Sequence, residues 1–535
     1  MKRNLITKIA VLIIASITCA ACSKDIVTGT DPYAGGKESL GIGFYINYPD
    51  PGTAKPGELV DFYVKGLKGK LDQINFFVNN TAVEIVSAKD SLVTIKVPEQ
   101  ITSGDAKIVV GEEVFYGPRL EIEGNTAVDE NYGMVNGFRG AVYDILPNAG
   151  GFIVAGSFSN FENEANYENA AQVKKVYRNG VHFIDANGKS NGNMDFLQGT
   201  FGGGYIRSIA KANDGKFIFA GSMGSFATRS VGNIVRVNND GKIDSMIVEV
   251  INTGNDPKNS LDTVSAFNGG VNTLILRTFA TSDNKVIAVG NFTSHYKIDY
   301  NYSSRDTRRY IVSAAKSVIR MKEDGSLDST FALNNSGANG QIMDAAMIDN
   351  ERVVIVGAFT SYNGKAANGI ACIKSDGSLD ETFTLKGNIT RLFALSYNST
   401  LKKLVVTGIF TGAGASGKVN NVALMNTDGT VDDTFVLQNI GTGILNYAQL
   451  LNSGQVFIDG TQNSYAGIPR SNLLILEKNG ELLQKYNSLG PFTGSVSKVA
   501  ETKSSLGEPA LLVGGSILQF GSKTYGNFFR LEIKN

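Results

Sequence analysis

Beyond residue 130 a short apolar stretch ending in glycine returns seven times, a period that points to repeated structural units rather than one undivided core. The stretches are 152–156, 217–221, 286–290, 353–357, 404–408, 456–460 and 511–514. They end on Gly156, Gly221, Gly290, Gly357, Gly408, Gly460 and Gly514. Successive glycines lie 65, 69, 67, 51, 52 and 54 residues apart. Runs this short, bounded by turn residues, have the length of buried strands. Most are followed by a variable loop, a second apolar run and an Asp-Gly or Asn-Gly pair. A unit of about 50 residues with four strand positions suits one blade of a propeller. The chain therefore reads as all-β, with a seven-bladed β-propeller over residues 128–535. Blade seven stops one strand short at 528–533, and residues 128 to 138 are the nearest source of the missing outer strand.

The fourth unit shows the full pattern. Gly357-Ala358-Phe359-Thr360-Ser361-Tyr362 is followed by Ile370-Ala371-Cys372-Ile373, then Asp376-Gly377-Ser378-Leu379-Asp380 and Thr382-Phe383. Units three and five repeat the ending with Asp324-Gly325 and Asp428-Gly429. These units resemble the delta-60 repeats of bacterial β-propellers, closely in blades three to five and more loosely elsewhere. A calcium reading of the Asp-Gly turns fails. With glycine as position six of an EF-hand loop, positions one and twelve would be Arg320 and Phe331, neither of them a ligand. Asp-Gly instead suits a tight hairpin turn.

Residues 40–124 form a separate unit. The runs 60–64, 74–78, 93–97 and 106–110 alternate apolar and polar residues between Gly, Asn and Pro turns, as strands of an antiparallel sandwich do. Pro49, Pro56-Gly57, Gly66, Val97-Pro98, Gly104 and Phe115-Tyr116-Gly117-Pro118 follow in order. This segment resembles the IPT/TIG immunoglobulin-like domain, including its Bacteroidota lipoprotein relatives. Such domains act as spacers.

The N-terminus carries an address. Lys2, Arg3 and Lys8 precede a nine-residue apolar run, 9–17, interrupted only by Ser16. That is far short of the about 20 residues that span a bilayer, but it fits a signal peptide. The run leads into Thr18-Cys19-Ala20-Ala21-Cys22, which resembles a bacterial lipobox. The resemblance implies that residues 1–21 are removed and that Cys22 carries the lipid. An ordinary cleavage after Ala21 is the alternative. Residues 22–39 read as a flexible tether. Ser23-Lys24-Asp25 has no Asp directly after the cysteine, so the expected location is the outer membrane, on its periplasmic or cell-surface face.

Composition narrows the chemistry. Fifty basic side chains balance fifty acidic ones, leaving no basic footprint for nucleic acid. Cys372 has no expected disulfide partner, and two histidines cannot build a three-histidine metal site. No Gly-x-Ser-x-Gly elbow, His-Glu-x-x-His or phosphate loop occurs, so neither a catalytic residue, a metal nor a cofactor is assigned.

The loops between second and third strands should share one face of the ring, and two are long. The insert 159–180 carries Phe161, Tyr167, Tyr177 and Arg178. The insert 293–315 carries Tyr296, Tyr300, Tyr302, Arg305, Arg308, Arg309 and Tyr310. Tyr362, Tyr465 and Tyr525 come from equivalent loops. Tyrosine joins a flat apolar ring to a hydroxyl at low entropic cost, which suits sugars and peptides. The candidate ligand-binding set is therefore Tyr296, Tyr300, Tyr302, Arg308, Arg309, Tyr310, Tyr362 and Tyr465. Packing of these rings within their own loops is the competing explanation. The expected function is a lipid-anchored, non-catalytic protein that captures a polysaccharide or oligosaccharide. An envelope protein-interaction scaffold is the second reading and a glycan-degrading enzyme the third.

Overall fold

The computed structural model describes residues 39–164, 178–251, 260–331, 336–470, 472–483, 492–521 and 523–534. The leader, Cys22, most of the tether, Tyr167 and Tyr177 lie outside them. The described residues form strands and short 3-10 turns without an α-helix, so no helix there is long and apolar enough to cross a membrane.

The first unit is a two-sheet sandwich. One sheet orders Gly43–Phe44, Leu59–Lys65, Leu92–Lys96 and Glu84–Lys89. The other orders Thr53–Ala54, Glu113–Ile122, Gly104–Val110, Ile74–Val78 and Thr81–Ala82. Alternation does what it should: Val60, Phe62 and Val64 are buried between the sheets while Asp61 and Tyr63 turn away. Phe62 packs on Phe44 and Phe76, with ring centres 6.2 and 4.8 Å apart.

The remainder is a closed ring of seven blades. The innermost strands are Val142–Asn148, Tyr205–Lys211, Ile275–Ala280, Gln341–Met347, Asn388–Asn398, Leu445–Leu450 and Phe492–Lys503. Each packs against the next, and the last packs against the first. The repeat glycine has one cause throughout. It sits on the second strand opposite a β-bulge in the inner strand, where a Cβ on Gly357 would lie 2.1 Å from the carbonyl oxygen of Gln341. In blade seven the equivalent position is Gly515, which pairs with Val496, rather than the expected Gly514.

Closure uses Thr126–Val128, which pairs antiparallel with Phe528–Ile533 as the outer strand of blade seven. The joint lies just before the expected 128 to 138, and the propeller begins at 126 rather than 128. Three residues are too few to display an alternation in sequence.

The Asp-Gly-x-x-Asp turns have a structural task. The first aspartate accepts the amide two residues on, as Asp324 does from Ser326 at 2.9 Å and Asp376 from Ser378 at 2.9 Å, and the glycines take φ near +85°. The second aspartate pairs with a cation of the blade. Arg320 Nε lies 2.8 Å from Asp328, and Arg320 Nη1 donates to the Ser375 carbonyl of the next blade at 2.6 Å. Arg236 does the same with Asp244 and the Glu323 carbonyl. Blade seven lacks the motif, yet Arg530 pairs with Asp129 at 2.9 Å and donates to the Ala186 carbonyl of blade one. The N-terminal strand thus supplies both the missing strand and the missing aspartate.

Candidate functional site

The 293–315 insert folds as a hairpin, Ser294–Ile298 against Tyr310–Ala314, joined edgewise to Gly270–Val271. It is held at its base by His295, whose buried Nε2 donates to the Gly325 carbonyl at 2.9 Å. Asn268 clamps the same strand, donating to the Ile298 carbonyl at 2.7 Å and accepting the Ile298 amide at 2.9 Å. A second hairpin, Ser245–Val250 with Ser260–Ser265, rises between blades two and three. It accounts for the 69-residue spacing, and its apolar run 246–248 was the sequence signal for it.

The tips of the two hairpins are tied together. The Ile251 amide donates to the Ser303 carbonyl at 2.8 Å. Arg305 Nη2 donates to the Leu261 carbonyl, and Arg308 Nη2 forms an ion pair with Asp262. Arg308 also donates to the Ser304 carbonyl at 2.9 Å and lies 5.7 Å from the Tyr300 ring centre. These bonds hold one wall of an open cleft of about 450 Å³. The short hairpin Ser225–Phe226 with Arg229–Ser230, from blade two, contributes Arg229 and Ser230 to the same lining.

Tyr296, Tyr300, Arg308 and Tyr310 all line this cleft, together with Arg229, Lys297, Arg305 and Asp306. Tyr296 and Tyr310 meet edge to face, 5.6 Å apart and at 88°. Burial pushes the Tyr300 hydroxyl up to about 12, with Asp262 adding to the shift and Arg308 opposing it. The hydroxyl is therefore a neutral donor and acceptor at ordinary pH. No metal-ligating cluster of three or more His, Cys, Asp or Glu occurs among the described residues.

Four of the eight expected residues lie elsewhere. Tyr302 is 62% exposed and stacks beneath Arg309, 5.0 Å from its ring centre, outside the cleft. Tyr362 and Tyr465 are 0% exposed and cannot meet a ligand. Each belongs to a two-residue strand after the repeat glycine, Ser361–Tyr362 or Ser464–Tyr465, and fills the space against the preceding blade. Phe226 holds the same place in blade two. All three stand five residues beyond their repeat glycine, so their periodicity marked them as core. Tyr525 packs on Phe529, and Phe161 is buried beside His182. Arg229 was not foreseen, because it comes from a blade with no long insert.

Several buried polar groups outside the cleft are engaged in the fold, although Asp459 keeps one carboxylate oxygen without a partner among the described residues and burial pushes its pKa up to about 7. Asp344, near the ring axis, pairs with Arg277 at 2.7 Å and accepts the Leu395 amide at 3.0 Å; Asp144 accepts the Ile209 amide at 2.8 Å. Burial raises the Cys372 thiol to about 11, which keeps it unreactive.

The fold and cleft define a β-propeller protein carrying an N-terminal β-sandwich. Residues 17–118 match the family described as Domain of unknown function (DUF5008). Residues 212–245, 350–383 and 402–435 match the Domain of unknown function (DUF5122) beta-propeller. Neither is described as IPT/TIG or delta-60. The three propeller matches fall on blades two, four and five; blade three, split by its insert, is not among them. No curated protein matches the chain. Solved structures that resemble it include a protein of unknown function from Bacteroides thetaiotaomicron, 11% identical, covering 92% of this chain and 98% of that one with a TM-score of 0.25. An auxiliary nutrient binding protein from the same organism is 10% identical over 92% of this chain and 97% of its own, with a TM-score of 0.32. PorZ, a surface component of the type-IX secretion system of Porphyromonas gingivalis, is 10% identical over 89% and 61%, with a TM-score of 0.35. Scores this low bear on neither activity nor ligand.

Proposed function

We propose that this protein is a non-catalytic glycan-capture accessory protein, held at the outer membrane by a lipid on Cys22. The observation that carries the reading is the blade-two to blade-three cleft. Its wall is braced by backbone-directed bonds, and it offers the rings and hydroxyls of Tyr296, Tyr300 and Tyr310 to solvent-accessible space. Such a site suits a sugar, which presents an apolar ring face and a rim of hydroxyls.

Affinity electrophoresis of the chain from residue 23 onward, in gels carrying individual polysaccharides, is the test. Retardation by at least one polysaccharide is expected. Tyr300→Ala should weaken it about tenfold, the loss of roughly 1.4 kcal/mol that a central aromatic contact supplies. Tyr302→Ala, outside the cleft, should leave it unchanged. Free migration through every gel would sink the proposal.

One observation favours the scaffold reading. Tyr310–Ala314 is the edge strand of its sheet and exposes Ile311 and Val312. An exposed apolar edge can accept a strand from a partner. A stoichiometric envelope protein that copurifies with the wild type and is lost from Val312→Lys, with no glycan retained, would replace the glycan proposal with this one.

A further inference from the structure

The cleft is charged in a way the chain as a whole is not. Fifty basic and fifty acidic side chains cancel over the sequence, yet among the described residues the lining holds Arg229, Lys297, Arg305 and Arg308 against Asp306 alone. Two of these cations are compensated from outside the lining. Asp262 pairs with Arg308, and Asp324 lies 3.4 Å from Lys297. Arg229 and Arg305 have no ion-pair partner among the described residues. Arg229 is half-buried on the blade-two wall. Arg305 is exposed on the wall formed by the insert and anchored through one nitrogen to the Leu261 carbonyl. Two guanidinium groups that line one cleft together with three tyrosine rings form a receptor for a ring that carries negative charge. Guanidinium binds carboxylate or sulfate oxygens through paired hydrogen bonds, stronger than those a neutral hydroxyl receives.

We infer that the cleft selects anionic oligosaccharides, whose rings bear carboxylate or sulfate groups, over neutral ones. This rests on the glycan-binding reading of the same site.

The experiment uses the chain from residue 23 onward and three probes of similar length: oligogalacturonate, sulfated dextran oligosaccharide and unmodified dextran oligosaccharide. Titration calorimetry should show an acidic probe binding at least about tenfold more tightly than neutral dextran, since a charge-assisted hydrogen bond is stronger than one to a neutral hydroxyl. Which acidic probe binds identifies carboxylate or sulfate as the recognised group. Arg229→Gln and Arg305→Gln should each weaken that binding about tenfold or more, and Arg229→Gln, which gives up no bracing bond, should keep the wild-type melting temperature. Added salt should weaken it further, because the partners are partly exposed.

Equal affinity for neutral and acidic probes, or unchanged affinity in both arginine variants, overturns the inference. Neutral binding as tight as the acidic, abolished by Tyr300→Ala, would overturn it while leaving the glycan proposal standing. Failure of all three probes, together with free migration through every polysaccharide gel, overturns both.

Discussion

Asp129→Asn is expected to destabilise the propeller by about 3–5 kcal/mol, the cost of leaving a buried charge without its partner. Asp129 and Arg530 side chains are 1% and 2% exposed, and Arg530 Nη2 lies 2.7 Å from Asp129 Oδ2. The same carboxylate accepts the Ser505 amide at 2.9 Å and the Asn131 amide at 3.0 Å. Arg530 stacks on Tyr132, 4.3 Å from its ring centre, and reaches the Ala186 carbonyl of blade one. One ion pair therefore ties together the N-terminal strand, the last strand, the blade-seven turn and the first blade. Asparagine preserves the shape and one acceptor but removes the charge, so the arginine stays buried and uncompensated. The urea midpoint of the propeller transition measures the loss, and a midpoint within error of wild type would refute this account of closure.

The effect should depend on pH with a definite sign. Burial raises the Asp129 carboxyl pKa, but the Ser505 amide and the Arg530 guanidinium lower it more, leaving it below the ordinary carboxylate range. A depressed folded pKa adds stability above the unfolded value, near 4, and that stability is lost as pH falls below it. The gap between wild type and Asp129→Asn should be full at neutral pH, begin to narrow near pH 4 and close only as pH falls through the lower folded pKa. A gap that widens on acidification would contradict the ion-pair explanation.

Gly357→Ala is expected to cost about 3 kcal/mol or more, the upper range for overpacking a close-packed site. The new Cβ would stand 2.1 Å from the Gln341 carbonyl oxygen and 3.0 Å from Ile342 Cα, both backbone atoms that no rotamer change can move. Relief requires opening the inner strand from the second strand of blade four. Ile342, Ile355 and Val356 beside it are buried against blades three and five. The propeller's urea midpoint should drop while the sandwich unfolds as before. An unshifted midpoint would mean that the bulge opposite Gly357 yields freely, and would leave the repeat glycine without a physical reason.

Much of the architecture was legible because packing imposes periods. A blade must bury both faces of its second strand, so a short apolar run returns at each blade. The sandwich hides one side of each strand, so Val60, Phe62 and Val64 alternate with Asp61 and Tyr63. The Asp-Gly turns were legible for a local reason, since the aspartate bonds to an amide two residues away. Loops were different. Their order along the chain did not say whether a side chain turns outward or between blades, apart from the five-residue offset from the repeat glycine that Tyr362 and Tyr465 share. Tyr362 and Tyr300 therefore looked alike as residues and differ completely in place.

The sequence by itself determined the all-β class, the two-unit order, the seven blades and the turns that separate their strands. Each of these depends on neighbours a few residues apart or on a spacing that repeats. Tertiary structure alone decided how the ring closes and what the cleft presents. Asp129 and Arg530 are 401 residues apart, and Arg229 shares its cleft with an insert from a different blade. Contacts of that kind leave no period in the chain, because they arise only when the ring has closed and brought distant segments within a few ångströms.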